Sequence, residues 1–418
     1  MKTKPYKPRV IDGVIRQRLR SAGAVLITGP KWCGKSTTGF YHARSHTNMD
    51  LPETQALFQL APHLVLEGER PRLIDEWQDA PGIWDRARRE IDTDGGKGLF
   101  IFTGSAVPAQ LPSHTGTGRF ARVALRTMSL FESGDGAGGI SLAGLFDGHF
   151  PLPLRSTMDY SRINRLICRG GWPGVLGLDD ADAVAMARDY LESVVTSDIS
   201  RADGVRHDPG KLRLLLRALA RNVSSEAKIT TLLADISAQG NHEVSERSIH
   251  SYLTALKNIF AIFEQEAWTE SLRSKTRIRT APRRHFADPS LAAAALAATP
   301  ELLLRDPESS GLLFESLCIR DLGIFAEALG GRVCHYRDAN GFEVDAIVQL
   351  DDGRWGAVEI KLGTHQFDAA AANLLRLQER MKGILPPPSF LMILNATSGF
   401  SAARPDGVLI VPIDLLEP

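Results

Sequence analysis

A glycine-rich loop near the start of the chain constrains the fold more than any other part of the sequence. The loop consists of Gly29, Pro30, Lys31, Trp32, Cys33, Gly34, Lys35 and Ser36, with Thr37 directly after it. An apolar run, residues 24–27, precedes the loop, and a segment compatible with a helix follows it up to residue 44. The sequence therefore predicts a strand, a tight loop and a helix in direct succession.

This loop has the features that bind the phosphates of a nucleotide. Gly29 and Gly34 permit a curved backbone whose N–H groups point at one place, and the following helix adds the partial positive charge of its N-terminus. We expect the Lys35 ammonium to reach the β and γ phosphates and the Ser36 hydroxyl to contact Mg²⁺. ATP and Mg²⁺ are therefore the predicted ligands. The alternative is a glycine-rich turn whose lysine is simply solvated.

The composition is ordinary for a globular protein, and 418 residues suggest about two to four domains. Lys and Arg total 49, as do Asp and Glu, so nucleic-acid binding would require a local basic patch. No segment approaches the ~18 apolar residues of a membrane span, and we expect a cytoplasmic protein with no membrane partner. Free thiols, and no zinc site, are expected for the scattered cysteines, which are Cys33, Cys168, Cys318 and Cys334.

Two adjacent carboxylates follow the next short apolar segment, residues 72–74. These are Asp75 and Glu76, and in a protein with a phosphate-binding loop a strand commonly ends in such a pair. Asp75 is expected to hold Mg²⁺, usually through water, and Glu76 to orient or deprotonate the attacking water. Adjacent acids in an ordinary surface loop are the alternative.

Hydroxyl and guanidinium groups further along the chain are candidates for contact with the γ phosphate. A buried strand at residues 99–102 ends in Thr103 and Ser105, either of which is a candidate sensor, although both are also suited to capping a turn. Arg119 or Arg122 is a candidate arginine finger, acting within one chain or across the interface of a homo-oligomer. The alternative for both arginines is an ordinary surface position.

Taken in order, these motifs resemble the AAA-type core of a prokaryotic ATPase family. The resemblance rests on the loop, the Asp75-Glu76 pair, residues 102–105 and the Gly118-Arg119 region. It implies an α/β P-loop NTPase fold with a parallel sheet over residues 1–150. Members of that family join this core to a C-terminal domain of unknown function. Residues 170–174 resemble a signature turn of the same family, which we interpret as a structural break with an anchoring indole.

Residues 151–300 predict a helical region with a winged helix-turn-helix. Three segments place apolar residues at helical spacing, and a strand-like segment with a basic stretch follows them. The basic stretch, residues 273–279 with Arg283 and Arg284, is suited to DNA phosphates, or is a solvated edge strand. The side chains expected to face a DNA major groove are Arg247, Ser248, His250 and Ser251. Protein contact is the alternative to binding of double- or single-stranded DNA.

Residues 301–418 predict a second α/β domain with a candidate catalytic cluster. A helix that Ser309-Ser310 can cap is followed by three strands, and Val344, Ala346, Val348 and Leu350 are expected to share one strand face. Alternation along the strands allows Asp345, Glu359 and Lys361 to converge, and Glu315 can join them from the helix. Asp345 and Glu359 would then be ligands of Mg²⁺, and Lys361 would position the nucleophile or stabilise the pentavalent state. Ordinary cross-strand Glu–Lys pairs are the alternative.

This last arrangement resembles the PD-(D/E)xK nucleases, which have a restriction-endonuclease-like fold. The sequence therefore predicts a hydrolysing ATPase coupled to nucleic-acid binding and metal-dependent DNA cleavage. A nucleotide-gated DNA- or protein-binding regulator whose C-terminal domain does not cut is the alternative. A small-molecule kinase is a third hypothesis, which the paired acids Asp75 and Glu76 and the long appended domains disfavour.

Overall fold

The N-terminal part of the chain folds around a parallel five-stranded sheet. The computed structural model describes residues 5–106, 115–151, 153–200, 204–205, 207–238, 244–269 and 281–418. In the sheet the strand order is β2-β3-β4-β1-β5. The strands are β1 (Ala24–Thr28), β2 (Ser45–Asn48), β3 (Arg72–Asp75), β4 (Phe100–Gly104) and β5 (Phe120–Ala124).

Alternating apolar residues explain why this sheet is covered on both faces. Val25 and Ile27 of β1 lie in one apolar cluster with helix α1, whereas Ala24 and Leu26 lie in another with α5. The helices of this region are α1 (Asp12–Ser21), α2 (Lys35–His42), α3 (Pro52–Leu60), α4 (Pro62–Leu66) and α5 (Gly82–Asp94). Because the strands are parallel, the residues that follow β1, β3 and β4 meet at one edge of the sheet.

A helical region follows the sheet. Its first elements are α6 (Leu130–Ser133), β6 (Ile140–Ser141), α7 (Leu142–Phe146), α8 (Tyr160–Arg169) and α9 (Asp180–Ser193), and a π-helical turn, Val194–Asp198, continues α9. Three helices then precede an antiparallel hairpin; they are α10 (Pro209–Arg221), α11 (Ile229–Ser237) and α12 (Glu246–Asn258). The hairpin strands are β7 (Ile262–Gln265) and β8 (Arg283–Phe286). The predicted basic segment 273–279 lies outside the described residues.

The C-terminal part contains a mixed six-stranded sheet in the order β13-β14-β12-β11-β10-β9. Its strands are β9 (Gly331–Arg337), β10 (Glu343–Leu350), β11 (Trp355–Lys361), β12 (Leu391–Asn395), β13 (Ala402–Ala403) and β14 (Leu409–Pro412). Helices α13 (Pro289–Ala295) and α14 (Pro300–Arg305) pack against the helical region, whereas α15 (Pro307–Ala328) and α16 (Phe367–Met381) flank the sheet. The last strand, β15 (Leu416–Glu417), leaves this sheet and pairs with β6.

Two local predictions for this part were wrong. Helix α15 begins before Ser309, because the Asp306 carboxylate caps it by accepting the N–H of Ser309. Val344 does not share a face with Ala346, because the pairing of β10 with β9 shifts between Val344 and Ile347. Val344 therefore packs in the cluster on the α16 side of the sheet, whereas Ala346, Val348 and Leu350 pack toward α15.

One large apolar cluster extends through the helical and C-terminal parts. It includes buried residues from Leu130 to Leu416 and draws on α8, α10, α12, α15 and the second sheet. The division of the chain at residues 150 and 300 therefore does not coincide with a break in the packing. None of the helices in the described ranges has the length and apolar character needed to cross a membrane.

Candidate nucleotide-binding site

The glycine-rich loop connects β1 to α2 at the edge of the parallel sheet. Gly34 has φ 100° and directly precedes α2, whose first residue is Lys35. The Lys35 side chain is buried, and its Nζ donates to the Pro30 carbonyl at 2.7 Å. Gly29 is required for packing, because a Cβ there would lie 2.1 Å from the Leu125 carbonyl oxygen. The ammonium is thus held inside the loop, where an incoming phosphate would replace a single carbonyl partner.

Asp75 lies at the C-terminal end of β3, next to the loop. Its Oδ1 accepts a hydrogen bond from the Thr103 hydroxyl at the end of β4, and the Ser36 hydroxyl also contacts it. Burial raises the pKa of Asp75, and the hydrogen bonds from Thr103 and Ser36 oppose this shift. The structure therefore brings together Ser36, Asp75 and Thr103, all three of which were selected from the sequence.

Glu76 has a left-handed backbone, with φ 50°. This conformation is uncommon for a residue with a Cβ and turns the carboxylate out of the line of β3. Oε2 of Glu76 accepts hydrogen bonds from the Gln78 amide and from the Ser105 hydroxyl, the latter at 3.2 Å. All three of these side chains line the cavity beside the loop.

This cavity, of about 960 Å³, lies between the sheet edge and the helical region. One side carries Lys31, Trp32, Gly34, Lys35, Ser36 and Thr37, with Asp50 and Glu76 nearby. The other side is built from residues that the sequence did not single out for binding, namely Pro173, Gly174, Tyr190, Val194, Asp198 and Ile259. The cavity is thus lined by the glycine-rich loop and by residues of the helical region.

The turn at residues 170–174 is both an anchor and part of the cavity wall. The Trp172 indole donates to the Ser290 hydroxyl at 3.0 Å and packs against Tyr190, with ring centroids 4.6 Å apart. Pro173 and Gly174, directly after this anchor, reach the cavity. The turn, which we interpreted from the sequence as structural, thus also contributes two residues to the lining of the cavity.

An ion pair also joins the loop to the helical region. Lys31 Nζ lies 2.6 Å from Asp198 Oδ1, in the π-helical turn after α9. Behind the loop, the buried Arg9 donates to the Cys33 carbonyl at 2.9 Å and pairs with Glu132 at 3.1 Å. The loop is therefore held from the helical region on one side and from the N-terminal segment on the other.

The two candidate arginine fingers lie outside this cavity. Arg119 Nε pairs with Asp92 Oδ1 of α5 at 2.8 Å, and both side chains are partly exposed. Arg122, on β5, lies over the Trp84 ring at 5.9 Å from its centroid. Neither arginine lines the cavity of its own chain. A finger role for them would therefore require a second copy of the chain and stays a prediction.

The predicted C-terminal cluster does converge. Lys361 Nζ lies 2.8 Å from Asp345 Oδ2 and 2.6 Å from Glu359 Oε2. The backbone N–H of Ile360 donates to Asp345, and the Asn373 amide donates to Glu359. Both carboxylate oxygens of Glu359 are therefore engaged, Oε2 by the Lys361 ammonium and Oε1 by the Asn373 amide.

A guanidinium that was predicted to face DNA phosphates lies among these carboxylates. Arg283 of β8 is buried, with Nη1 3.0 Å from Glu315 Oε1 and Nη2 2.7 Å from Glu343 Oε2. Its Nη1 is also 3.8 Å from Asp345 Oδ1. This finding contradicts the predicted phosphate contact for Arg283, because a side chain buried among acids is closed to a polyanion. Arg284, on the opposite strand face, donates to the Ala227 carbonyl at 2.7 Å.

Burial dominates the electrostatics of this cluster. Burial and the Asp345 charge raise the pKa of Glu315 to about 8, and the same two causes raise the pKa of Glu359 to about 7. For Asp345, burial is outweighed by Lys361 and Arg283, which lower its pKa. Within the described part of the chain, no group of three or more His, Cys, Asp and Glu side chains is arranged to hold a metal ion. The residues predicted to bind Mg²⁺ here, Asp345 and Glu359, therefore do not form an open ligand set.

The helix predicted to face DNA presents part of its predicted surface to solvent. On α12, Arg247, His250 and Ser251 are exposed, whereas Ser248 is half-buried and its hydroxyl contacts that of Ser245. Ser245 caps the helix by accepting the N–H of Ser248. The three exposed side chains are available to a partner, and Ser248 serves the helix terminus.

A buried charged cluster, here called the junction, connects the three parts of the chain. Arg320 of α15 pairs with Asp288 at 2.9 Å and with Asp321 at 2.7 Å, and all three side chains are almost fully buried. Asp288 also accepts hydrogen bonds from the Thr127 hydroxyl and the Gly171 N–H, at 2.7 and 2.9 Å. The junction thus joins the end of the first sheet, the 170–174 turn and the C-terminal part.

Two family models match the part of the chain that follows the first sheet. Residues 160–302 match a domain of unknown function, DUF8612, and residues 310–416 match another, DUF4143. Two uncharacterized proteins, from Mycobacterium bovis and Mycobacterium tuberculosis, are each 24% identical over 357 residues, which is 83% of this chain and 72% of each relative. These matches give no activity for the C-terminal half.

Solved structures with a related arrangement are remote. The Walker-type ATPase PABY2304 of Pyrococcus abyssi is 13% identical, with a TM-score of 0.42 over 69% of this chain and 96% of that protein. The Orc1 protein of Aeropyrum pernix, solved in complex with DNA, is 11% identical, with a TM-score of 0.27 over 70% of this chain and 93% of that protein. Both scores are too low to assign a ligand or partner to this chain.

The N-terminal match is the informative one. Residues 21–133 match the family described as AAA domain, a range that contains the glycine-rich loop, the Asp75-Glu76 pair and Thr103. The parallel sheet and the loop-lined side of the cavity lie in the same range. Over this range the chain is similar to an AAA domain, and the range includes its phosphate-binding loop.

Proposed function

We propose that this protein binds and hydrolyses ATP in the cavity between its AAA domain and its helical region, and that the nucleotide governs how the rest of the chain engages a partner. The observation that supports this proposal is the composition of the cavity wall. Lys35 and Glu76 come from the AAA domain, whereas Pro173, Tyr190 and Asp198 come from the helical region. A nucleotide bound there would contact both parts at once.

The residues at the phosphate end fit a divalent cation of the kind that accompanies ATP. Ser36 and Asp75 are hydroxyl and carboxylate donors in mutual contact, and oxygen donors are those that Mg²⁺ prefers. When bound, Mg²⁺ would supply charge neutralisation at the phosphates. In this proposal Lys35 binds the phosphates, and Glu76 accepts a proton from, or orients, a water molecule at the γ phosphate.

Two rings from the helical region that line the cavity are suited to the base. Tyr190 and Pro173 offer an aromatic ring and a flat apolar ring, the surfaces on which a purine packs. The test compares binding of ATP and inorganic tripolyphosphate to the wild type and to Tyr190→Leu. We expect the variant to lose about ten-fold in affinity for ATP and to retain its affinity for tripolyphosphate. Equal losses for both ligands would contradict a base-binding role for Tyr190.

In this proposal, nucleotide binding affects the rest of the chain through the 170–174 turn. Pro173 and Gly174 lie at the cavity, and Gly171, only a few residues earlier, is hydrogen-bonded to Asp288 of the junction. A shift of this turn on nucleotide binding would act directly on a buried charge cluster that includes α15. We therefore favour a nucleotide-gated regulator whose C-terminal domain binds without cutting.

DNA is the partner that we propose for this regulator. The exposed Arg247 and His250 on α12 form the face that the winged-helix pattern would present to a groove. We expect Arg247→Ala to weaken DNA binding several-fold in an electrophoretic shift assay at low salt, with ATP present. The matched control is Arg217→Ala, on α10, which we expect to leave DNA binding unchanged. If neither Arg247→Ala nor the removal of ATP alters DNA binding, the DNA proposal is wrong.

Metal-dependent cleavage of nucleic acid is a second candidate function. The observation in its favour is the convergence of Glu315, Asp345, Glu359 and Lys361, a set that resembles the catalytic residues of restriction-endonuclease-like domains. The cluster does not fit a metal ion while Arg283 pairs with its carboxylates. Labelled single- and double-stranded DNA, incubated with ATP and Mg²⁺ or Mn²⁺, tests this function directly. Cleavage that Lys361→Ala abolishes would establish it, and cleavage that survives this change would rule it out.

A further inference from the structure

The most informative feature outside the nucleotide site is the position of Arg283 relative to the C-terminal carboxylates. Its guanidinium contacts Glu315, Glu343 and Asp345, which come from α15 and from two positions on β10. Lys361 holds the remaining side of Asp345, at 2.8 Å. A cation thus sits between carboxylates from different elements, which is the location a divalent metal ion would need.

The hairpin that carries Arg283 is tied firmly to the second sheet. The Gln265 amide of β7 donates to the Asp345 carbonyl at 3.1 Å. Just after β7, the Trp268 N–H donates to the His335 carbonyl at 2.6 Å, and the His335 N–H donates to the Glu266 carbonyl at 2.9 Å. Arg283 therefore belongs to a hairpin that pairs with the sheet through backbone hydrogen bonds. The position of the guanidinium is thus determined by the backbone as well as by the Arg283 side chain.

We propose that Arg283 takes the place of the divalent metal ion in the C-terminal carboxylate cluster, so that the cluster serves as a lock for the β7–β8 hairpin and not as a metal site. This inference rests on the likeness of the C-terminal domain to metal-dependent nucleases. The carboxylates bind a positive charge in either case, but here the charge belongs to the chain. A divalent ion at Glu315 and Asp345 would compete with the guanidinium for these carboxylates and would be repelled by its charge.

Manganese titration of the full-length, nucleotide-free protein tests the lock. Free Mn²⁺ is measured by electron paramagnetic resonance for the wild type, for Arg283→Met and for Arg283→Met combined with Asp345→Asn. We expect Arg283→Met to gain one Mn²⁺ site, with an affinity at least about ten-fold above that of the wild type. The added Asp345→Asn change should abolish the new site, since it removes one of the ligands.

Arg284→Met is the matched control, because Arg284 is the next residue of the same strand and contacts the Ala227 carbonyl instead of the cluster. It should bind no more Mn²⁺ than the wild type. Arg283→Gln is a second variant, which retains a hydrogen-bonding head group without the charge. Both Arg283 variants should show a higher melting temperature when Mn²⁺ is added, whereas the wild type should not.

Two results would overturn the lock. The first is a wild-type protein that binds Mn²⁺ without nucleotide at a site that Asp345→Asn removes. The second is the absence of any Asp345-dependent Mn²⁺ site in both Arg283 variants. Neither result bears on ATP binding, which is measured separately through Lys35, so failure of the lock and failure of the proposed ATPase function are distinguishable.

Discussion

Lys31 of the phosphate-binding loop forms an ion pair with Asp198 of the helical region, with 2.6 Å between Nζ and Oδ1. The pair crosses the mouth of the cavity in which we propose that ATP binds. Its lysine is 44% exposed, so the pair itself contributes little to the free energy of unfolding. The pair matters for ligand binding, because the Asp198 carboxylate would compete with a phosphate group for Lys31.

Replacement of Asp198 should therefore strengthen nucleotide binding. We expect Asp198→Asn to bind ATP about five-fold more tightly, because one negative charge near the triphosphate is removed and Lys31 is released. Equilibrium titration with a fluorescent ATP analogue measures the change. Asp189→Asn, on the exposed face of α9 and outside the cavity, is the control and should have wild-type affinity. Weaker binding by Asp198→Asn would show that the ion pair holds the cavity closed instead.

Replacement of Glu76 should separate hydrolysis from binding. We expect Glu76→Gln to bind ATP within about two-fold of the wild type and to hydrolyse it at least about 100-fold more slowly, since only the basic group is lost. Glutamine can still accept the hydrogen bond from Ser105. Release of phosphate, measured under saturating ATP, gives the rate, with Glu53→Gln on the exposed surface of α3 as control. A variant that hydrolyses ATP at the wild-type rate would remove Glu76 from the proposed catalytic role.

Replacement of Arg320 should destabilise the parts of the chain that the junction connects. Arg320→Met leaves Asp288 and Asp321 buried without their cation, and breaking a buried pair in this way costs about 3–5 kcal/mol in the free energy of unfolding. Urea denaturation followed by tryptophan fluorescence measures the loss. Arg332→Met, an exposed change on β9, should cost less than about 0.5 kcal/mol. Equal stability of both variants would contradict a structural role for the junction.

A buried histidine makes the stability of the protein depend on pH. Burial, with a further contribution from Arg283, lowers the pKa of His285 from its ordinary value of 6.5 to about 3. Between these values the unfolded chain binds a proton that the folded chain does not, so folding is disfavoured as the pH falls below 6.5. His285 contacts Ser316 and Gln265 through its two ring nitrogens.

The comparison of wild type with His285→Gln isolates this effect from other titrating groups. We expect the wild-type free energy of unfolding, relative to that of the variant, to rise by about 1.4 kcal/mol per pH unit from pH 4.5 to pH 6. Above about pH 7.5 the difference should be constant, because the unfolded chain then binds almost no proton at this position. Urea denaturation at several pH values provides both curves. A difference that is independent of pH over the whole range would mean that His285 titrates normally in the folded protein.

Much of the fold could be predicted from local patterns in the sequence. The strand before Gly29 and the helix after Ser36 follow from the glycine spacing and the apolar run, and both are present. In the second sheet, alternation along β10 and β11 was enough to bring Asp345 and Lys361 together, because these strands are neighbours. The alternation of residues along a strand determines which side chains share a face, so this contact could be predicted from a single sequence.

The features that could not be predicted depend on packing between distant segments. Arg283 is basic and stands in a basic stretch, so its sequence context indicated a surface facing phosphates. Its burial results from the docking of the β7–β8 hairpin against β9 and β10, which no local pattern encodes. Tyr190 and Asp198 reach the nucleotide cavity for a similar reason, since the helical region folds back over the loop. The β10 bulge that displaces Val344 likewise depends on its pairing with β9.

The central claim is that the AAA domain binds the triphosphate of ATP through the glycine-rich loop and the Lys35 ammonium. Isothermal titration calorimetry of ATP with Mg²⁺ into the wild type and Lys35→Ala tests it most directly, with circular dichroism to verify that the variant is folded. We predict that the wild type binds about one ATP per chain and that Lys35→Ala loses at least about 100-fold in affinity. An affinity of Lys35→Ala for ATP equal to that of the wild type would contradict the claim.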